Sequence, residues 1–181
     1  MKQVKTQTPV RQHGGVMEIK SISEAGRFAG YASVFDVVDN QRDVVRAGAF
    51  RDTLRDRASP VQLLWQHAWE HPIGVIEQLF EDARGLFVQG RLLMEVEKAR
   101  EAHALLKAGA IRGLSIGYQA RQAQRDPETG VRALLAVELW EISLVTLPAN
   151  AEANVTVVKH ATPDTMHALM HAVARAQAAL R

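Results

Sequence analysis

LSIGYQARQAQRDPETGVRALLAVELWEISLVTLP, residues 114–148, reads as two strand-like runs separated by RDPETG at 125–130. The flanks have the apolar content of strands, and the segment between them has the composition of a hairpin loop. In the second run a period of two puts Leu139, Glu141, Ser143 and Val145 on one face and Glu138, Trp140, Ile142 and Leu144 on the other. Glu141 therefore sits inside an apolar run, either as an exposed-face residue or as a paired one. An imidazole would be a good partner for it.

Working outward, VMEIKSI (16–22), GRFAGYASVF (26–35), PVQLLWQH (60–67), IGVIEQLFED (73–82) and GLFVQGRLL (85–93) also read as strands. The two around Pro72 are joined across that proline. DVVDNQRDVVRAGAF (36–50) reads as a loop with Asp-Asn turn chemistry. Helical spacing appears in three places. GAFRDTLRDRA (48–58) places Phe50 and Leu54 four apart. EVEKAREAHALLKAGAI (95–111) aligns Val96, Ala99, His103 and Leu106 and ends at Gly109, a C-cap signal. PDTMHALMHAVARAQAALR (163–181) carries an apolar stripe of Met166, Leu169, Met170, Val173 and Leu180. Many strands with few helices predict a mainly β fold, an antiparallel sheet or barrel with α-helices packed outside. The organisation expected is a loose arm over 1–15, a β domain over 16–160 and an amphipathic helix over 161–181.

The chain has 181 residues, 47% of them hydrophobic, which suits one domain with a real core. The 22 Lys and Arg against 20 Asp and Glu leave a net charge of +2, too weak to argue for nucleic acid or an anionic membrane as the main partner. Cysteine is absent, which excludes disulfides, thiol nucleophiles and thiolate metal sites. No apolar run approaches the ~20 residues of a membrane span. MKQVKTQTPVRQHGG, at 1–15, lacks the apolar core of a secretion signal.

Three polar residues stand out. Ser115 faces opposite to Leu114 and Ile116 on its strand, between Gly113 and Gly117. Its hydroxyl can bond a backbone carbonyl or meet solvent, while the glycines leave room for a ligand. His67 closes LLWQH, where a histidine can be a surface or packing residue. With His71 it has the spacing of a metal pair, but no third and fourth ligands are grouped nearby, so no metal or cofactor is expected. With Glu141, these residues supply a hydroxyl, an imidazole and a carboxylate, the set nucleophilic acyl transfer needs.

GYASVFDVVDNQRDVVRAGAF (30–50), LLWQHAWEHPIGVI (63–76), AIRGLSIGY (110–118) and WEISLVTLPANAEANV (140–155), in that order and spacing, resemble the prohead serine protease family of tailed phages. That family is related in fold to the herpesvirus capsid-maturation protease, assemblin. The resemblance runs from about Gly26 to about Val158. It implies an assemblin-like β-barrel ringed by helices, with Ser115 as nucleophile and His67 as general base. Glu141 matches the position where the herpesvirus enzymes carry a second histidine as third member. Asp43 also matches a family acid and ranks behind Glu141. The herpesvirus enzymes place an arginine pair after the third triad strand. TLPAN (146–150) stands there in this chain, so backbone N–H groups near it are the candidate oxyanion donors.

The activity implied is that of a serine endopeptidase that cuts the scaffold portion from the major capsid protein inside the assembling prohead, in the host cytoplasm. The polar termini are candidate self-cleavage sites, and the C-terminal helix either carries a homodimer contact or packs on its own barrel. Two other readings exist: a non-enzymatic capsid-assembly factor of the same fold, and a small-molecule esterase or amidase. Against the last, GLSIG sits on a strand with no helix behind it, unlike a nucleophile elbow.

Overall fold

The computed structural model describes residues 22–56 and 59–156. The expected arm (1–15), the C-terminal helix and, Ile22 apart, the strand over 16–22 lie outside the described residues. In chain order the elements are β1 (Arg27–Val34), β2 (Asp43–Val45), α1 (Arg51–Asp56), β3 (Gln62–Trp65), β4 (Ala68–Glu81), β5 (Gly85–Leu92), α2 (Glu97–Lys107), β6 (Gly113–Arg125), β7 (Arg132–Val145) and β8 (Val155–Thr156). No helix among the described residues is long and apolar enough to cross a membrane.

The β6–β7 hairpin forms as its sequence suggests, paired from Gly113↔Val145 to Arg125↔Arg132. Its loop is shaped by Asp126, whose Oδ1 accepts the N–H groups of Glu128 and Thr129 at 2.9 Å each. The other edge of β7 is also occupied. Its first residues pair with β2 and its last with β3, both in parallel. From β3 the sheet continues through β4, β5 and β1 in antiparallel fashion to β8. The antiparallel expectation is therefore corrected: the sheet is mixed. Parallel pairing needs long connections, and local alternation carries no trace of them. β2 lies within 36–50, the stretch expected as a loop. Three residues are too few to show a pattern.

The sheet curls until its last strand meets β6. The meeting consists of one bridge, Gly113↔Asn154, and two hydrogen bonds. Leu114 N–H donates to the Ala153 carbonyl (2.9 Å) and Val155 N–H to that of Arg112 (2.8 Å). Where the sequence suggested a barrel, the described residues form a curled sheet with a narrow seam.

The core lies inside the curl, built on Phe28, Leu63, Ile73, Leu86, Leu114 and Ile142. α2 buries Ala99, Ala102, His103 and Leu106 and stops at Gly109, whose left-handed φ of 69° lets the following amides turn back onto the last carbonyls of the helix. The α1 segment is tied to β7 by two bonds, Val137 N–H to the Ala49 carbonyl (2.9 Å) and Leu139 N–H to Thr53 Oγ1 (3.1 Å).

β7 does not keep its period of two. Gly117 pairs with Glu141 and Tyr118 with Leu139, which leaves Trp140 as a bulge. The extra residue shifts the phase, so Leu139 and Ile142 both enter the core while Glu141 and Ser143 turn away from it. The expected common face of Leu139 and Glu141 is corrected accordingly. Leu139→Ala and Ile142→Ala should each cost about 2–5 kcal/mol in urea denaturation. An unbulged strand would make only one of the two costly.

Candidate active site

β3 and β4 are joined by only two residues, Gln66 and His67, with φ of 51° and 60°. β4 thus begins at Ala68 and runs through Pro72, which pairs with Leu64 at a register shift where its missing N–H is tolerated. Two-residue hairpin loops of the I′ type require positive φ at both positions, usually met by Asn-Gly. In Gln and His that conformation costs roughly 1–2 kcal/mol per residue. The end of β7 offsets the cost. Gln66 N–H donates to the Leu144 carbonyl (3.0 Å), the Gln66 amide exchanges bonds with Thr146 at 2.8 and 3.3 Å, and His67 N–H donates to Ser143 Oγ (2.9 Å).

This clamp sets the His67 ring beside Glu141, with Nδ1 2.6 Å from Oε1. The second oxygen of Glu141, Oε2, accepts the Ser143 hydroxyl at 2.7 Å. The carboxylate is 2% exposed. Gly117 makes room for it: a Cβ at that position would lie 2.2 Å from Oε1. The hydrogen bond to Glu141 outweighs burial and holds the His67 pKa above its ordinary 6.5.

Ser115 lies directly across β6–β7 from Ser143, as Gly117 does from Glu141. Ser115 and His67 line one cavity of about 550 Å³. The Ser115 hydroxyl has no hydrogen-bond partner among the described residues. Asp43 lines the same cavity, but its carboxylate is taken by Arg132, through Nε (2.8 Å) and Nη2, and by the Tyr118 hydroxyl (2.9 Å). Burial pushes the Asp43 pKa up, and these donors more than reverse it, leaving it below the usual carboxylate range. Of the two candidate acids, Glu141 is the one in contact with His67. Ala149 and Asn150 of the TLPAN stretch also line the cavity, and their backbone N–H groups are unpaired among the described residues. Ser143 was not singled out from sequence as a site residue. The signal was its place two residues beyond Glu141, on the same face.

A family model described as caudovirus prohead serine protease matches residues 16–168. The chain belongs to this family. It is 35% identical over 136 residues to the prohead protease of Enterobacteria phage HK97, covering 74% of this chain and 60% of that protein. It is 33% identical over 150 residues to a capsid polyprotein of Pseudomonas phage PAJU2, covering 79% of this chain and 22% of the polyprotein. The chain thus spans less than two thirds of the length of either relative. Among solved structures it resembles KSHV protease in complex with a hexapeptide phosphonate inhibitor, with a TM-score of 0.52 at 15% identity over 82% of this chain and 76% of that one. At that identity the likeness is one of fold.

Replacing Glu141 with Gln should lower the His67 pKa toward or below its ordinary value in an NMR titration. Gly117→Ala should lower it too, by displacing the same carboxylate, and an unmoved pKa in both variants would exclude the pair as its cause. Any stability gained from the raised pKa is present in full below about pH 6.5 and lost as pH rises through the folded value.

Proposed function

We propose that this chain is a serine endopeptidase of prohead maturation. It cleaves the scaffold portion of the major capsid protein, and itself, inside the assembling prohead in the host cytoplasm. The observation that carries this reading is the 2.6 Å His67–Glu141 pair, facing a cavity shared with Ser115 in a prohead protease family member. The relative named a capsid polyprotein supports capsid protein as the partner, since 22% of that protein is similar to this chain.

The buried carboxylate can only accept, so the ring proton sits on Nδ1 and the lone pair on Nε2. His67 Nε2 takes the Ser115 proton as Oγ attacks the scissile carbonyl. Glu141 holds the ring in this tautomer and stabilises the imidazolium that forms. The backbone N–H groups of Ala149 and Asn150, unpaired among the described residues, are suited to receive the oxyanion. The imidazolium then protonates the leaving amine, and a water molecule deprotonated by His67 releases the acyl group. Asp43 acts indirectly, pinning β2 to β7 at the cavity wall through Arg132.

The test is co-expression with the coat protein, comparing wild type with Ser115→Ala by intact-protein mass spectrometry. Coat protein shortened at its N-terminus only with the wild type is the expected result, with turnover reduced roughly 10⁴–10⁶-fold in the variant. Full-length coat protein in both, with capsids still forming, would sink the enzymatic reading and favour a non-catalytic assembly factor. The rate should also rise with pH through a midpoint above 6.5, as His67 becomes neutral.

A further inference from the structure

Ser143 is 0% exposed and its hydroxyl is used twice. It donates to Glu141 Oε2 at 2.7 Å and accepts the His67 backbone N–H at 2.9 Å. A serine hydroxyl has one proton and two lone pairs, so the direction of both bonds is fixed. Together with the Nδ1–Oε1 bond they close a ring of contacts: His67 backbone, Ser143, Glu141, His67 side chain. We infer that Ser143 is a positioning residue for the proposed reaction, holding the acid and the turn that carries the base in one fixed relation. The inference rests on the protease reading of His67 and Glu141.

The physical case has two parts. The first concerns the carboxylate. Glu141 makes one hydrogen bond from each oxygen, which fixes its rotation about the last side-chain torsion. Without Ser143, Oε2 would be left in a place where water is scarce, with no donor among the described residues. The carboxylate would then turn, and the ring would turn with it. The second part concerns the backbone. His67 occupies a left-handed conformation that a non-glycine residue adopts only when its surroundings impose it. Its N–H bond to Ser143 is part of that imposition. One hydroxyl therefore restrains both ends of the histidine. It also sits directly opposite Ser115 in the β6–β7 ladder, so the nucleophile and this restraint share one rung.

The experiment compares Ser143→Ala and Ser143→Thr with wild type. It uses the full chain and a peptide spanning the coat-protein cleavage site. Readouts are kcat, KM, the His67 pKa and the low-field proton resonance of the His67 Nδ1–H. A displacement of the base by about an ångström should cut kcat on the order of 10²-fold. The expected result for Ser143→Ala is that drop with little change in KM, a lowered His67 pKa and a broadened or lost resonance. Ser143→Thr, which keeps the hydroxyl, should recover the resonance and much of kcat. If Ser143→Ala does not fold, Ser143→Cys, of similar size and with a weak donor, replaces it in the same comparison. Lower thermal stability with kcat, His67 pKa and resonance unchanged would overturn the inference and leave Ser143 a packing residue. An inactive wild type that still shows the low-field resonance would instead count against the protease reading. The role of Ser143 would then be judged from the resonance and pKa of the variants.

Discussion

A strand paired along both edges cannot slide, and β7 is such a strand. β6 fixes one edge over its whole length, while β2 and β3 fix the two ends of the other. Since a one-residue slip would turn every side chain to the wrong face, the register is locked and the bulge at Trp140 is locked with it. That bulge lets an apolar strand present Glu141 and Ser143 away from the core without exposing Leu139 or Ile142. β3 is held in register against the same four residues of β7 that include Glu141 and Ser143, so the turn bearing His67 arrives where they are.

The two acids of the cavity region differ in what their partners can do. Asp43 is bound to a guanidinium, whose own pKa the pair pushes further up, and to a phenol whose pKa rises as well, mainly through burial. Neither partner changes charge near neutrality, so that cluster is a fixed, nearly neutral tie between β2 and β7. Glu141 is bound to an imidazole, the one side chain whose ordinary pKa lies in that range. The same kind of carboxylate is thus structural in one place and able to support proton movement in the other.

Much of this was legible in the sequence. The β6–β7 hairpin announced itself by two apolar runs around RDPETG, and α2 by its spacing and Gly109. The polar residues Ser115, His67 and Glu141 stood out against their apolar neighbours, and the geometry brings the latter two into contact. Other features were hidden for physical reasons. Whether Gln66 and His67 form a turn depends on acceptors supplied by Leu144, Ser143 and Thr146, more than 70 positions away. Nothing local to LLWQHAW marks it. The parallel partners of β7 come from equally distant segments. The Trp140 bulge is a property of the pairing with β6, and VELWEISLV alone reads as unbroken alternation. Ser143 escaped notice because a serine beside a carboxylate gives no signal until the histidine's backbone is placed.

The seam between β8 and β6 gives the molecule a mechanical asymmetry. β8 is held on two sides, by its pairing with β1 at Ala29↔Thr156 and Gly30↔Val155 and by the two backbone bonds at Val155 and Leu114 that tie it to β6 just before Ser115. The edge of β6 that faces β7 spreads its load over twelve paired positions, from Gly113 to Arg125. The serine-bearing strand is therefore anchored along its whole length on one edge and by a single bridge on the other. A pull on β8 is shared between β1 and that short seam, whose β6 side lies one residue from the Ser115 hydroxyl.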